Sequence, residues 1–160
     1  SGLAEQGYTT LSVQMPVLAA DADAAQYPPL YPEAADRLNA AVAFLRARGM
    51  SKIAIVAHSL GARMADFFLN RMTDPGVDAW VAIGIPGDFI SPQAFKQPVL
   101  DIYGEGDFPA LLENADKRAS VLRKVRGSAQ IQVAGADHFF NGREAELVRH
   151  VKLFLDRALK

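Results

Sequence analysis

Short apolar runs alternate along this chain with longer stretches whose apolar residues recur every three or four positions. Five short runs read as strands: residues 8–14, 52–57, 79–85, 98–103 and 130–134. Two of them, Ile53-Ala54-Ile55-Val56-Ala57 and Trp80-Val81-Ala82-Ile83, are almost continuously apolar. Continuous apolarity suits strands covered on both faces, as in parallel sheets. The longer stretches read as helices. Residues 32–48 place Leu38, Ala41, Val42 and Leu45 on one face, with Pro32 at the first turn and Gly49 at the stop. Residues 60–72 end before Asp74-Pro75-Gly76. Residues 109–126 turn Leu111, Ala115, Leu122 and Val125 inward, and residues 142–159 carry Leu147, Val151, Phe154 and Leu155 on one side. Asn141 with Glu144 three positions later predicts a capping box. Strands alternating with helices predict an α/β architecture: a mostly parallel sheet with right-handed crossovers and helices on both faces.

Length and charge narrow this picture. The 160 residues predict one domain, residues 1–160, with a real core. Seventeen basic and eighteen acidic side chains leave a net charge of -1, which offers no footprint for nucleic acid or an anionic membrane. The absence of cysteine removes disulfides, thiolate nucleophiles and Cys-bound metals. No apolar run reaches the length of a membrane span, and no basic and apolar leader is visible. The sequence leaves cytoplasm and periplasm both open.

In an open parallel sheet, chemistry sits beyond the carboxyl ends of the strands. The segment after the second run is Ala57-His58-Ser59-Leu60-Gly61. A serine on a sharp strand-to-helix turn needs small residues two before and two after, and Ala57 and Gly61 meet that need. The turn would hold the Ser59 hydroxyl above the sheet and aim the Leu60 amide at a developing oxyanion. The bland alternative is that Ser59 only caps the helix. After the fourth run comes Gly104-Glu105-Gly106-Asp107-Phe108-Pro109. Asp107 is placed to turn back and orient an imidazole. Its alternative role is a helix cap, Glu105 is the reserve acid, and Asp101 lies inside the strand. Pro109 stands where a dinucleotide fingerprint needs its third glycine, so that motif is rejected. After the last run, Gly135-Ala136-Asp137-His138-Phe139-Phe140 puts His138 where a general base belongs, with Asp137 holding the loop. His58 should point away from the neighbouring hydroxyl, and His150 reads as solvated. No metal-ligand spacing links the three histidines.

Ser59, Asp107 and His138 follow three different strands in the order serine, acid, histidine, which is the α/β-hydrolase order. Here the chain resembles the α/β-hydrolase superfamily. More closely it resembles a bacterial hydrolase-like family of unknown function within it. The stretches carrying the likeness are residues 7–16, 56–64, 98–104 and 135–140. The resemblance implies a serine triad of Ser59, Asp107 and His138 and names no substrate. It also implies three strands ahead of residues 8–14, the third lying between that segment and residues 52–57. The loop after that strand would supply the second oxyanion amide. No residue upstream of Ser1 provides them. Three repairs are open: the chain is a fragment, which is the expectation; the two strands close up and pair; or another copy adds a strand through self-association.

The expected function is hydrolysis of a small-molecule ester or related acyl bond through an acyl-enzyme, with no metal, nucleotide or flavin. The alternatives are a non-catalytic binding or assembly module and acyl transfer to an alcohol. The short segment 86–97 predicts an open crevice with no cap domain. Its walls are expected from Met15, Leu18, Tyr27, Tyr31, Phe89, Phe95 and Phe139. Arg118, Arg123, Lys124 and Arg126, mixed with Glu113 and Asp116, read as a solvated helix face. Arg63 reads as lying along its helix surface without a role.

Overall fold

A computed structural model describes residues 2–91 and 95–160. After three single turns of 3-10 helix, the elements run α1 (Tyr31–Ala47), β1 (Ala54–His58), α2 (Leu60–Arg71), β2 (Ala79–Ile83), β3 (Val99–Gly106), α3 (Pro109–Leu112), α4 (Ala115–Leu122), β4 (Ala129–Asp137) and α5 (Glu144–Ala158). The four strands form one sheet in the order β1-β2-β3-β4, and every neighbouring pair is parallel.

β2 is buried along its whole length, as its continuous apolarity predicts. Its side chains alternate between two cores. Trp80 and Ala82 face the layer of α1, α2 and α4, packing with Leu38, Phe68 and Leu122. Val81 and Ile83 face α5, packing with Phe140, Val151, Phe154 and Leu155. The result is the three-layer α/β arrangement.

Five local expectations are corrected. Residues 8–14 form no strand. They line an apolar slot of about 740 Å³, in which Leu11 and Val13 share the lining with Ile53, just before β1, and Ile55 and Val56 of β1. A strand needs a partner for its backbone groups, and the slot keeps β1 out of reach, so the two segments do not close up. Side chains hold the segment instead. Tyr8 donates its hydroxyl to Asp156 at 2.6 Å, and Arg37 donates to the Gln14 carbonyl at 2.6 Å.

Residues 109–126 make two helices rather than one. The Leu111 carbonyl that a continuous helix would use takes a tight-turn bond from the Asn114 amide at 3.3 Å and another from Arg118 Nη1 at 3.2 Å. Arg118 is therefore no part of a solvated face. It is fully buried, with its Nε 2.8 Å from Asp101 Oδ2. The capping box is also absent. Asn141 donates from its backbone and side chain to Asp137, while Glu144 accepts from the Gly142 amide. Arg63 does have a role: it pairs with buried Asp66 at 2.9 Å and donates to the Pro86 carbonyl.

Candidate active site

The site lies beyond the carboxyl ends of β1, β3 and β4. Ser59 occupies the single residue between β1 and α2, at φ 55 and ψ -126. A non-glycine residue there is strained, and such strain persists only where the surroundings fix it. The Ser59 amide donates to the Ile83 carbonyl at 2.8 Å, and its carbonyl accepts from Ala62 and Arg63. Both backbone groups are therefore committed. The hydroxyl makes no cap to α2. It lies 2.9 Å from His138 Nε2.

His138 follows β4 directly. Its Nδ1 lies 2.7 Å from Asp107 Oδ1. A carboxylate can only accept, so Nδ1 carries the proton and Nε2 of the neutral ring is free to accept from the serine. Asp107 is itself held. Its Oδ1 also accepts the Phe108 amide at 2.8 Å, and its Oδ2 faces the Gly104 amide at 3.4 Å. It caps no helix, since the residue before α3 is Phe108. Asp107 and His138 are both buried, which shields the pair from water.

Two glycines make this approach fit. A Cβ at Gly104 would stand 2.4 Å from the Ala136 carbonyl oxygen, so β3 and β4 could not close at the bulge beneath the site. A Cβ at Gly84, just past β2, would meet His138 Cε1 at 3.1 Å and Asp107 Oδ2 at 3.4 Å. Gly61 behaves differently from expectation: a Cβ there meets nothing within 4 Å, so crowding inside this chain does not require a small residue.

The other candidate residues divide. Glu105 accepts the Gly135 amide at 2.9 Å and does not bond the imidazole. Asp137 holds the loop, accepting the Phe139 amide at 2.9 Å and Asn141. Phe139 is exposed, with its ring 5.2 Å from the His138 ring. Met15 lines the slot beside β1. Tyr27 is half-buried ahead of α1. Tyr31 packs on Phe67 at 5.8 Å, and burial raises its pKa. Phe89 and Phe95 belong to the core, edge-on to Trp80 at 5.7 and 5.6 Å, so the crevice walls do not draw on them. Part of the 86–97 segment, residues 92–94, lies outside the described residues.

Residues not foreseen also meet here. Phe108 lies over His138 with ring centres 4.4 Å apart. His58 makes no bond to the Ser59 hydroxyl but is not idle: its Nε2 donates to the His138 carbonyl at 2.8 Å, and the two rings are 4.7 Å apart. Position beside Ser59 and Asp107 was their only sequence signal. Farther out, Arg63 and Arg118 grip the loop after β2 from two sides, donating to the Pro86 and Gly87 carbonyls. Among the described residues, no group of three or more metal-ligating side chains is assembled, and no helix is long and apolar enough to cross a membrane.

A nucleophile turn at one strand end, with an acid and a histidine delivered by two others, is the arrangement of the α/β-hydrolase superfamily, and this chain has that fold. The sequence profile of the dienelactone hydrolase family matches residues 3–154, and the chain belongs to that family. Solved structures agree on the fold. The esterase domain of a Rhodothermus marinus protein superimposes with a TM-score of 0.64 at 17% identity, covering 79% of this chain and 70% of that one. A protein of unknown function from Agrobacterium tumefaciens gives 0.63 at 19%, covering 88% and 65%. An α/β serine hydrolase without a lid from Xanthomonas campestris gives 0.63 at 20%, covering 78% and 56%. The chain thus spans between 56% and 70% of the length of these three structures. Comparison with curated proteins returns no match. Family and neighbours together support a hydrolase.

Proposed function

We propose that this chain is a serine hydrolase of the esterase type, acting on a carboxylic ester or related acyl bond through Ser59, His138 and Asp107. The observation that carries the reading is the unbroken relay from Ser59 Oγ through the His138 ring to Asp107, with links of 2.9 and 2.7 Å. In this reading Ser59 attacks the carbonyl carbon while His138 Nε2 takes its proton. Asp107 keeps the ring in the productive tautomer and offsets its positive charge. The Leu60 amide, at the start of α2, donates to the oxyanion. The tetrahedral intermediate collapses, and His138 returns the proton to the departing oxygen. Water, activated by the same ring, then releases the acid from the serine. In this reading the site is open, with no cap among the described residues.

The test is a serine-directed fluorophosphonate probe combined with ester turnover. The native protein labels and hydrolyses esters, Ser59→Ala abolishes both, and His138→Ala slows both by at least about 10³-fold. A folded native protein that takes no label would instead point to a binding module that keeps the fold without the chemistry.

A further inference from the structure

Two large aromatic side chains stand exposed at the catalytic imidazole. Phe108 is 54% exposed and Phe139 66% exposed. The Phe108 ring lies 4.4 Å from the His138 ring at a tilt of 37°. The Phe139 ring lies 5.2 Å away and nearly perpendicular, at 82°. Of the other exposed large apolar side chains, Phe44 lies under Arg48 and Leu11 and Val56 line the slot, while Val17, Ile90 and Leu153 stand singly and away from the imidazole. Phe108 and Phe139 leave large apolar faces in water beside the reacting atoms.

The backbone beneath both rings is anchored. Asp107 accepts the Phe108 amide, and Pro109 opens α3 directly behind it. Asp137 accepts the Phe139 amide. The next residue, Phe140, sits at a strained φ of 56 and is only 1% exposed. That kink sends Phe140 into the core and leaves its neighbour Phe139 outside. A fixed aromatic surface binds a flat apolar group with little loss of conformational freedom.

The position says which part of a substrate would meet it. His138 must hand its proton to the departing oxygen, so that oxygen comes within hydrogen-bond reach of Nε2. Whatever is attached to the oxygen then lies beside the imidazole, against the two rings. We propose that Phe108 and Phe139 form a leaving-group platform that selects esters whose alcohol part carries an aromatic ring. This rests on the hydrolase reading above and adds the substrate class.

The experiment compares two acetate esters, of benzyl alcohol and of 2-methoxyethanol, whose alcohols are similar in acidity and differ in the ring. The native protein favours the benzyl ester by at least tenfold in kcat/KM. In F108S/F139S that ratio falls to within about threefold of unity, and each single variant lies between. Fluorophosphonate labelling of the variants reports that the triad is still formed; should the double variant fail to label, the single variants carry the comparison. No preference in the native protein overturns the proposal. So does a preference kept by the variants, or an equal fall for both esters, which would mean that the rings only shield the imidazole. A native protein that neither labels nor turns over either ester overturns the hydrolase reading, and the platform with it.

Discussion

Gly84 and His138 are in contact because Gly84 has no side chain: a Cβ at that position would sit 3.1 Å from one imidazole carbon and 3.2 Å from Nδ1. Gly84 also has φ 55, which L side chains adopt at a cost of roughly 1–2 kcal/mol. Gly84→Ala therefore strains the backbone and pushes the ring from Asp107. The expected outcome is a loss of about 1–2 kcal/mol of stability in denaturant unfolding, with kcat reduced at least tenfold and KM little changed. A kcat equal to that of the native protein would refute this use of the glycine.

His58 steadies the loop that carries His138, through the bond from its Nε2 to the His138 carbonyl. His58 is itself exposed, so its replacement should leave the fold intact. His58→Ala is expected to lower kcat about tenfold with KM unchanged. His58→Gln, which keeps a donor, recovers a good part of that loss. His58→Phe, which keeps a ring but no donor, does not. Steady-state kinetics on the three variants checks the ordering.

The buried pair of Arg118 and Asp101 ties α4 to β3, and Gln130 of β4 adds a bond to Asp101 at 2.8 Å. Burial pushes the Asp101 pKa up, and Arg118 opposes that shift. Removing only the cation strands a buried charge, so Arg118→Met should cost about 3–5 kcal/mol. The double variant R118M/D101L should recover a large part of it. Denaturant midpoints of native, single and double variants give the comparison.

Asp66 predicts a pH dependence of stability. Burial raises its pKa from 3.8 to about 6, against the opposing bonds from the Ile90 amide, Arg63 and Asn70. The folded state thus keeps a proton that the unfolded chain has already released between pH 4 and 6. The proton excess lies on the folded side, so the contribution of Asp66 is fully present below about pH 4 and declines as pH rises through about 6. The slope is at most about 1.4 kcal/mol per pH unit. Unfolding free energies of native protein and Asp66→Asn across that range should show the native value falling relative to the variant. Parallel curves would rule it out.

Much of the fold was legible in the sequence. The four apolar runs from residue 52 onward became the four strands, and the clearest case is β2, apolar throughout because it is buried along its whole length. The positions of Ser59, Asp107 and His138 just past strand ends were legible too, since each follows a run that ends in turn chemistry. Residues 8–14 misled because their alternating pattern resembles a strand, while a strand exists only if a neighbour accepts its backbone bonds.

By itself, then, the sequence determined the order of the elements, the parallel sheet and the three strand ends where chemistry was to be sought. These depend on periodicity and turns within a few residues. Tertiary structure alone decided that Gly84 makes room for an imidazole 54 positions away, that Arg118 goes inside, that Phe89 and Phe95 pack on Trp80, and that Phe108 lies over His138. Each of those depends on which distant side chain the packed sheet brings alongside, and such contacts leave no trace in local spacing.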